Sequence, residues 1–147
     1  METAKEAIWD NRLALSTLVA FSHAEHVIHE QEMKTIKESG LTLMQFAVLE
    51  ALFNKGPLKI CQVIDKLLTT SGNITVVVKN LERDGLIRKE QDPNDKRACR
   101  IALTDAGRVR MERVLPAHYE HIGQIFSVLS DEELVTLRNI LKKFKEE

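Results

Sequence analysis

The feature that most constrains this chain is the ordered string SGNITVVVKNLERDG, LIRKEQ, DPNDKR, ACRIALT over residues 71–104. Read alone, TVVV is a strand signature, because β-branched side chains suit a pleated surface. Ile74, Val77, Val78 and Leu81 nevertheless fall at i, i+3, i+4 and i+7, one stripe of a helix. Ser71 is a suitable N-cap and Gly85 a suitable C-terminal stop. The spacing therefore predicts a helix. Residues 86–91 and 98–103 follow as two strands, with Cys99, Ile101 and Leu103 alternating with Ala98, Arg100 and Ala102. The DPNDKR segment between them is rich in turn formers and makes a hairpin tip.

What precedes this string is helical. Residues 4–38 read as one long, partly amphipathic helix, ended by Ser39-Gly40. Thr42 and Gln45 form a capping box for a second helix carrying Phe46, Leu49 and Phe53. NKGP stops that helix and offers Pro57 as the first residue of a third, whose stripe is Ile60, Val63, Ile64 and Leu67. After the hairpin, Thr104-Asp105 caps a helix over about 105–128 that Pro116 should kink or interrupt. SDEE at 130–133 opens the last helix, striped by Leu134, Leu137, Ile140, Leu141 and Phe144. The fold class is mainly α with a small β-hairpin wing: a winged helix-turn-helix over 41–104, flanked by a helical region over 1–38 and 105–147.

Composition sets the outer limits. With 147 residues, 44% hydrophobic and 29% charged, the chain suits one globular domain or two small lobes. It holds no apolar run long enough to span a bilayer, and its amino terminus has no signal-peptide core, so we expect a cytoplasmic protein with no membrane partner. Net charge is −1, but Lys79 to Arg113 holds ten Lys/Arg against seven Asp/Glu. That local excess permits phosphate binding.

The hairpin and the helix before it suggest what the phosphates belong to. With the apolar stripe turned inward, the helix shows Asn73, Thr75, Val76, Lys79, Asn80 and Arg83. An ordinary solvated face with one stray valine explains this as well as a DNA-reading face does. In a major groove, Val76 suits a thymine methyl, Asn73 or Asn80 an adenine, and Lys79 a guanine or phosphate. The wing tilts the balance: Lys96 or Arg97 suits a narrow minor groove, and Asp95 is placed to hold Arg97 in one rotamer. Arg88, Lys89 and Arg100 on the strands are then candidates for phosphate contacts.

These residues also carry a resemblance. LTLMQFAVLEAL, then Ser71-Gly72-Asn73-Ile74-Thr75, Leu81 to Ile87, Asp92 to Arg97 and Leu103 to Gly107 resemble the MarR family of bacterial transcription regulators. In that family the ordered signature reads S-G-x-[IL]-T, L-E-x-x-G-L-I, D-x-x-D-x-R and L-T-x-x-G. The resemblance implies a homodimer built from the first and last two helices, binding double-stranded DNA at a palindromic operator. It further implies a repressor that a small-molecule inducer loosens from DNA. By position it implies groove residues Ser71, Asn73, Thr75, Val76 and Lys79, with Asp95 and Arg97 at the wing. The stripe from Leu134 to Phe144 is a separate reason to expect a partner copy, because it lacks a core of its own.

Other chemistries find less support. No nucleophile–base–oxyanion set or phosphate loop occurs, so we expect no enzyme and no cofactor. His23, His26 and His29, with His118 and His121, raise a zinc site, but the early second-helix positions that zinc-sensing members use read Gln45-Phe46 here. We read the histidines as solvated and assign no metal. Cys61 and Cys99 read as half-buried packing residues, and the first-helix cysteine of peroxide-sensing members is absent. Trp9, His23, His26, Met44 and Phe46 lie where the family's ligand pocket draws its lining, but read more simply as core or surface. The ligand site stays unassigned. The competing readings are a winged-helix module that binds a protein, or a metal- or redox-responsive regulator.

Overall fold

The computed structural model describes residues 1–67 and 69–145. The elements run α1 (Ala4–Asp10), α2 (Arg12–Glu38), α3 (Leu43–Lys55), β1 (Leu58–Lys59), α4 (Ile60–Leu67), α5 (Ser71–Arg83), β2 (Ile87–Gln91), β3 (Cys99–Leu103), α6 (Asp105–Phe126) and α7 (Asp131–Leu141). The chain divides into two compact units, Thr35–Ile122 and a second made of Met1–Lys34 with the residues from Gly123 on.

The core lies in the Thr35–Ile122 unit. Val48, Leu49, Leu52, Val63, Ile74, Leu81, Ile101 and Met111 are each at most 1% exposed, and they join α3, α4, α5, β3 and α6. Burying a side chain of this size contributes about 1.5–3 kcal/mol. TVVV is accordingly helical: Ile74 and Val78 are buried while Val76, two residues from each, is not. The tertiary environment rewards the 3.6-residue period over the local β preference. Thr70, rather than Ser71, is the N-cap, its hydroxyl accepting from the Asn73 amide at 3.3 Å. Ser71 is the first residue inside the helix.

Three sequence expectations change here. The helix predicted over 4–38 breaks at Asn11, whose side-chain amide donates to the Ala7 carbonyl at 2.9 Å and so ends α1 from within. Pro57 does not open a helix. Leu58 and Lys59 first run extended and pair with β3, Leu58 opposite Ile101 and Lys59 opposite Arg100, and α4 starts at Ile60. The hairpin thereby becomes a three-stranded antiparallel sheet of order β1-β3-β2. Lastly, Pro116 does not interrupt α6. Met111, Leu115 and His118 are all buried on one face, which holds both sides of the proline in place.

The turn from wing to α6 explains the spacing of Leu103, Thr104 and Gly107. The Thr104 hydroxyl donates to the Gly85 carbonyl at 2.6 Å and accepts from the Gly107 amide at 3.1 Å. Gly85 itself has φ +72°, which a side chain disfavours. A Cβ at Gly107 would stand 2.0 Å from the Leu86 carbonyl oxygen, so α6 can dock against the start of β2 only through a glycine.

The other unit has a different character. None of residues 1–34 or 123–145 is buried. Large apolar side chains are instead exposed along it, among them Trp9, Leu13, Leu18, Val128 and Ile140. The last helix carries the expected capping box, Ser130 with Glu133, but ends at Leu141, leaving Phe144 beyond it. Among the described residues no helix is long and apolar enough to cross a membrane.

Candidate nucleic-acid interface

α5 is fixed from beneath by Ile74, Val78 and Leu81, and its outer face is thereby determined. Ser71, Asn73, Thr75, Val76 and Lys79 are all exposed on it, while Asn80 is half-buried. Val76 is 59% exposed, an apolar side chain set among polar ones. The Thr75 hydroxyl donates back to the Ser71 carbonyl at 2.7 Å, which leaves its oxygen free to accept. No acidic residue occupies the first turn of α5, so no side-chain charge offsets the positive end of its dipole.

The wing is rigidified by backbone-directed carboxylates. Asp92, only 7% exposed, accepts from the Asn94 amide at 2.8 Å and pairs with Lys59 Nζ at 3.7 Å. The hydrogen bond from the Asn94 amide, with help from Lys59 and Arg100, holds the Asp92 carboxyl below its ordinary pKa. Asp95 accepts from the Arg97 backbone amide at 3.0 Å. This differs from the contact expected between Asp95 and the Arg97 guanidinium. A short Asp side chain two residues ahead of an amide closes an Asx turn more readily than it reaches a long side chain. Asp95 thus fixes where Arg97 leaves the backbone. Gln91 adds a bond from its side-chain amide to the Lys96 carbonyl at 2.8 Å. Lys89, Lys96 and Arg97 line one hollow together with Glu90, Gln91 and Cys99.

The strand cations sort into two groups. Lys89, Lys96 and Arg97 are exposed and form no ion pair among the described residues. Arg88 and Arg100 are engaged: Glu90 takes Arg88 Nη2 at 3.4 Å and Arg100 Nε at 2.5 Å, and Arg88 also donates to the Leu103 carbonyl. The opposite signs of Glu90 and Arg100 were visible in the sequence. Their cross-strand pairing needed the register of the hairpin.

The histidine and cysteine readings also change. His118 is 3% exposed rather than solvated, with Nδ1 2.8 Å from the Thr35 hydroxyl and its ring 4.6 Å from that of Phe46. His23, His26 and His29 are exposed. Among the described residues no group of three or more His, Cys, Asp or Glu is placed to hold a metal ion. Cys61 and Cys99 are exposed, not half-buried: α4 turns Val63 inward, and Cys99 sits at the wing end of β3, past the core.

Comparison with known proteins places this architecture. The MarR family model matches residues 41–99, from just before α3 to the first residue of β3. The chain is 39% identical over 130 residues to the HTH-type transcriptional regulator YkoM of Bacillus subtilis, covering 88% of this chain and 84% of that one. It is 35% identical over 130 residues to the HTH-type transcriptional regulator MhqR of the same organism, covering 88% and 90%. Among solved structures it is similar to BpsR of Bordetella bronchiseptica, whose DNA binding is regulated by 6-hydroxynicotinic acid, with 29% identity, a TM-score of 0.73, and coverage of 84% of this chain and 89% of that one. With the signature residues in order on a winged helix, the chain belongs to the MarR family of DNA-binding transcription regulators.

Proposed function

We propose that this protein is a homodimeric repressor that grips a palindromic operator through two winged helices and lets go when a small molecule binds. The observation that carries the DNA contact is the outer face of α5, where Val76 stands exposed between Asn73 and Lys79 on a helix whose opposite face is fully buried. In a major groove Val76 meets a thymine methyl, Asn73 pairs with adenine, and Lys79 takes a guanine or phosphate. Ser71 and Thr75 contact the backbone near the helix N-terminus, as short hydroxyls do. Lys96 and Arg97 enter the neighbouring minor groove, aimed by Asp95, and Lys89 meets a phosphate. Arg88, a phosphate candidate by sequence, pairs with Glu90 and donates to the Leu103 carbonyl.

The dimer is supported by residues 1–34 and 123–145, which expose Leu13, Leu18, Val128 and Ile140 and bury nothing by themselves. Apolar surface on this scale is stable in water only when covered. A second copy covers it by two-fold symmetry and sets two recognition helices about one helical turn apart. Response to a small molecule is the reading that BpsR supports, since there a hydroxylated aromatic acid regulates DNA binding. A ligand that changes the spacing of the two wings disfavours a fixed pair of half-sites.

Fluorescence anisotropy with DNA from upstream of the protein's own gene, against scrambled DNA, tests the reading. Tight binding to the first alone supports it. Equal binding to both sends the search to a random-sequence library, and failure there leaves a protein as the partner of the winged helix.

A further inference from the structure

The wing sheet carries its cations in two electrostatic states. Lys59, Arg100 and Glu90 lie in one row across the three strands, since Lys59 and Glu90 are each register partners of Arg100. Directly paired residues share a face, and Arg88, two residues before Glu90, is on it too. Every cation on this face has a carboxylate: Asp92 for Lys59 at 3.7 Å, and Glu90 for both Arg100 at 2.5 Å and Arg88 at 3.4 Å. Glu90 is well covered, its side chain 24% exposed. Lys89 on the other face and Lys96 and Arg97 at the tip have no such partner among the described residues.

We propose that Glu90 is a specificity-determining residue for DNA binding, because it withholds Arg88 and Arg100 from sequence-blind attraction to phosphate. A pair whose arginine is as exposed as Arg88 contributes little to stability. Their consequence lies elsewhere. Each free cation that meets a phosphate releases a counterion and adds affinity for every sequence alike, about 0.9 units of salt slope per contact. A guanidinium paired with Glu90 and, for Arg88, also bonded to the Leu103 carbonyl must give up those partners before it can do so. Sequence-blind affinity is thereby limited to Lys89, the tip and α5, and discrimination between operator and random DNA is correspondingly larger.

The inference rests on the DNA-binding reading above, and the test separates the two. Full-length protein is titrated with scrambled duplex DNA across a salt series, as wild type, Glu90→Gln and Arg100→Gln. Glu90→Gln keeps the shape and an accepting oxygen but removes the charge. The expected result is tighter binding to scrambled DNA by Glu90→Gln, with the slope of log K against log salt steeper by about 1–2 units. Arg100→Gln in the wild-type background is expected to leave the slope unchanged. An unchanged slope in a folded Glu90→Gln protein overturns the proposal. So does a slope about one unit shallower in Arg100→Gln, which places Arg100 on a phosphate already and stands even where Glu90→Gln fails to fold. Failure of the wild type to bind any DNA removes the DNA-binding reading first, and this proposal with it.

Discussion

Asp92 and Lys59 meet 3.7 Å apart, joining the start of the wing tip to the short strand that leads into α4. The same carboxylate fixes the Asn94 amide at the start of the tip. One buried acid therefore sets both where the wing is anchored and how its tip turns.

That arrangement predicts a pH dependence. The folded pKa of Asp92 is depressed, chiefly by the Asn94 amide. Its contribution is present above the ordinary carboxylate value, about 4, and is lost as pH falls through the lower folded value. Amide exchange or chemical shifts of residues 94–97 should show the wing loosening only below about pH 4. Asp92→Asn should loosen it at neutral pH and remove the acid transition there.

Gly107→Ala should be among the most destabilising single changes in the chain. The new Cβ falls 2.0 Å from a backbone oxygen, and backbone cannot rotate aside as a side chain can. A loss of about 2–4 kcal/mol in urea unfolding is expected. A loss within 0.5 kcal/mol, the range ordinary surface changes show, would mean α6 can dock without the close approach.

Val76→Ala separates recognition from folding. Val76 is 59% exposed and supports no core, so stability should move by less than about 0.5 kcal/mol. Affinity for the operator should fall about tenfold, with affinity for scrambled DNA unchanged. Lys79→Ala is expected to behave differently if its partner is a phosphate, weakening all sequences and flattening the salt slope by about one unit.

Leu13→Glu combined with Leu18→Glu should abolish the dimer. Both side chains are more than half exposed on α2. Light scattering should report twice the chain mass for wild type and a shift to the monomer for the variant. A wild-type monomer at micromolar concentration would leave the exposed apolar residues without their proposed cover.

The parts of the fold governed by local rules were legible in the sequence. Capping boxes at Thr42 and Ser130 and the stripe of α5 each depend on neighbours a few residues away, whereas the alternation expected for β3 gives way to a run of buried Ile101, Ala102 and Leu103 with Cys99 exposed. Readings that required a distant partner were not. Leu58 and Lys59 become a strand because β3 offers an edge forty residues on, and no local signal marks that. His118 looks like any helix-surface histidine until Thr35 and Phe46 close over it. Within the candidate interface, the exposed face of α5 followed from periodicity, whereas the separation of Arg88 and Arg100 from the free cations followed only from the hairpin register.

The central claim is that α5 and the wing read a two-fold DNA site, and a random-library selection followed by anisotropy tests it most directly. The account predicts enrichment of inverted half-sites centred about 10 base pairs apart. It also predicts affinity for them at least about a thousandfold above scrambled DNA, lowered by Arg97→Ala in a protein that remains dimeric. Recovery of no common sequence, or equal affinity for selected and scrambled DNA, would contradict it.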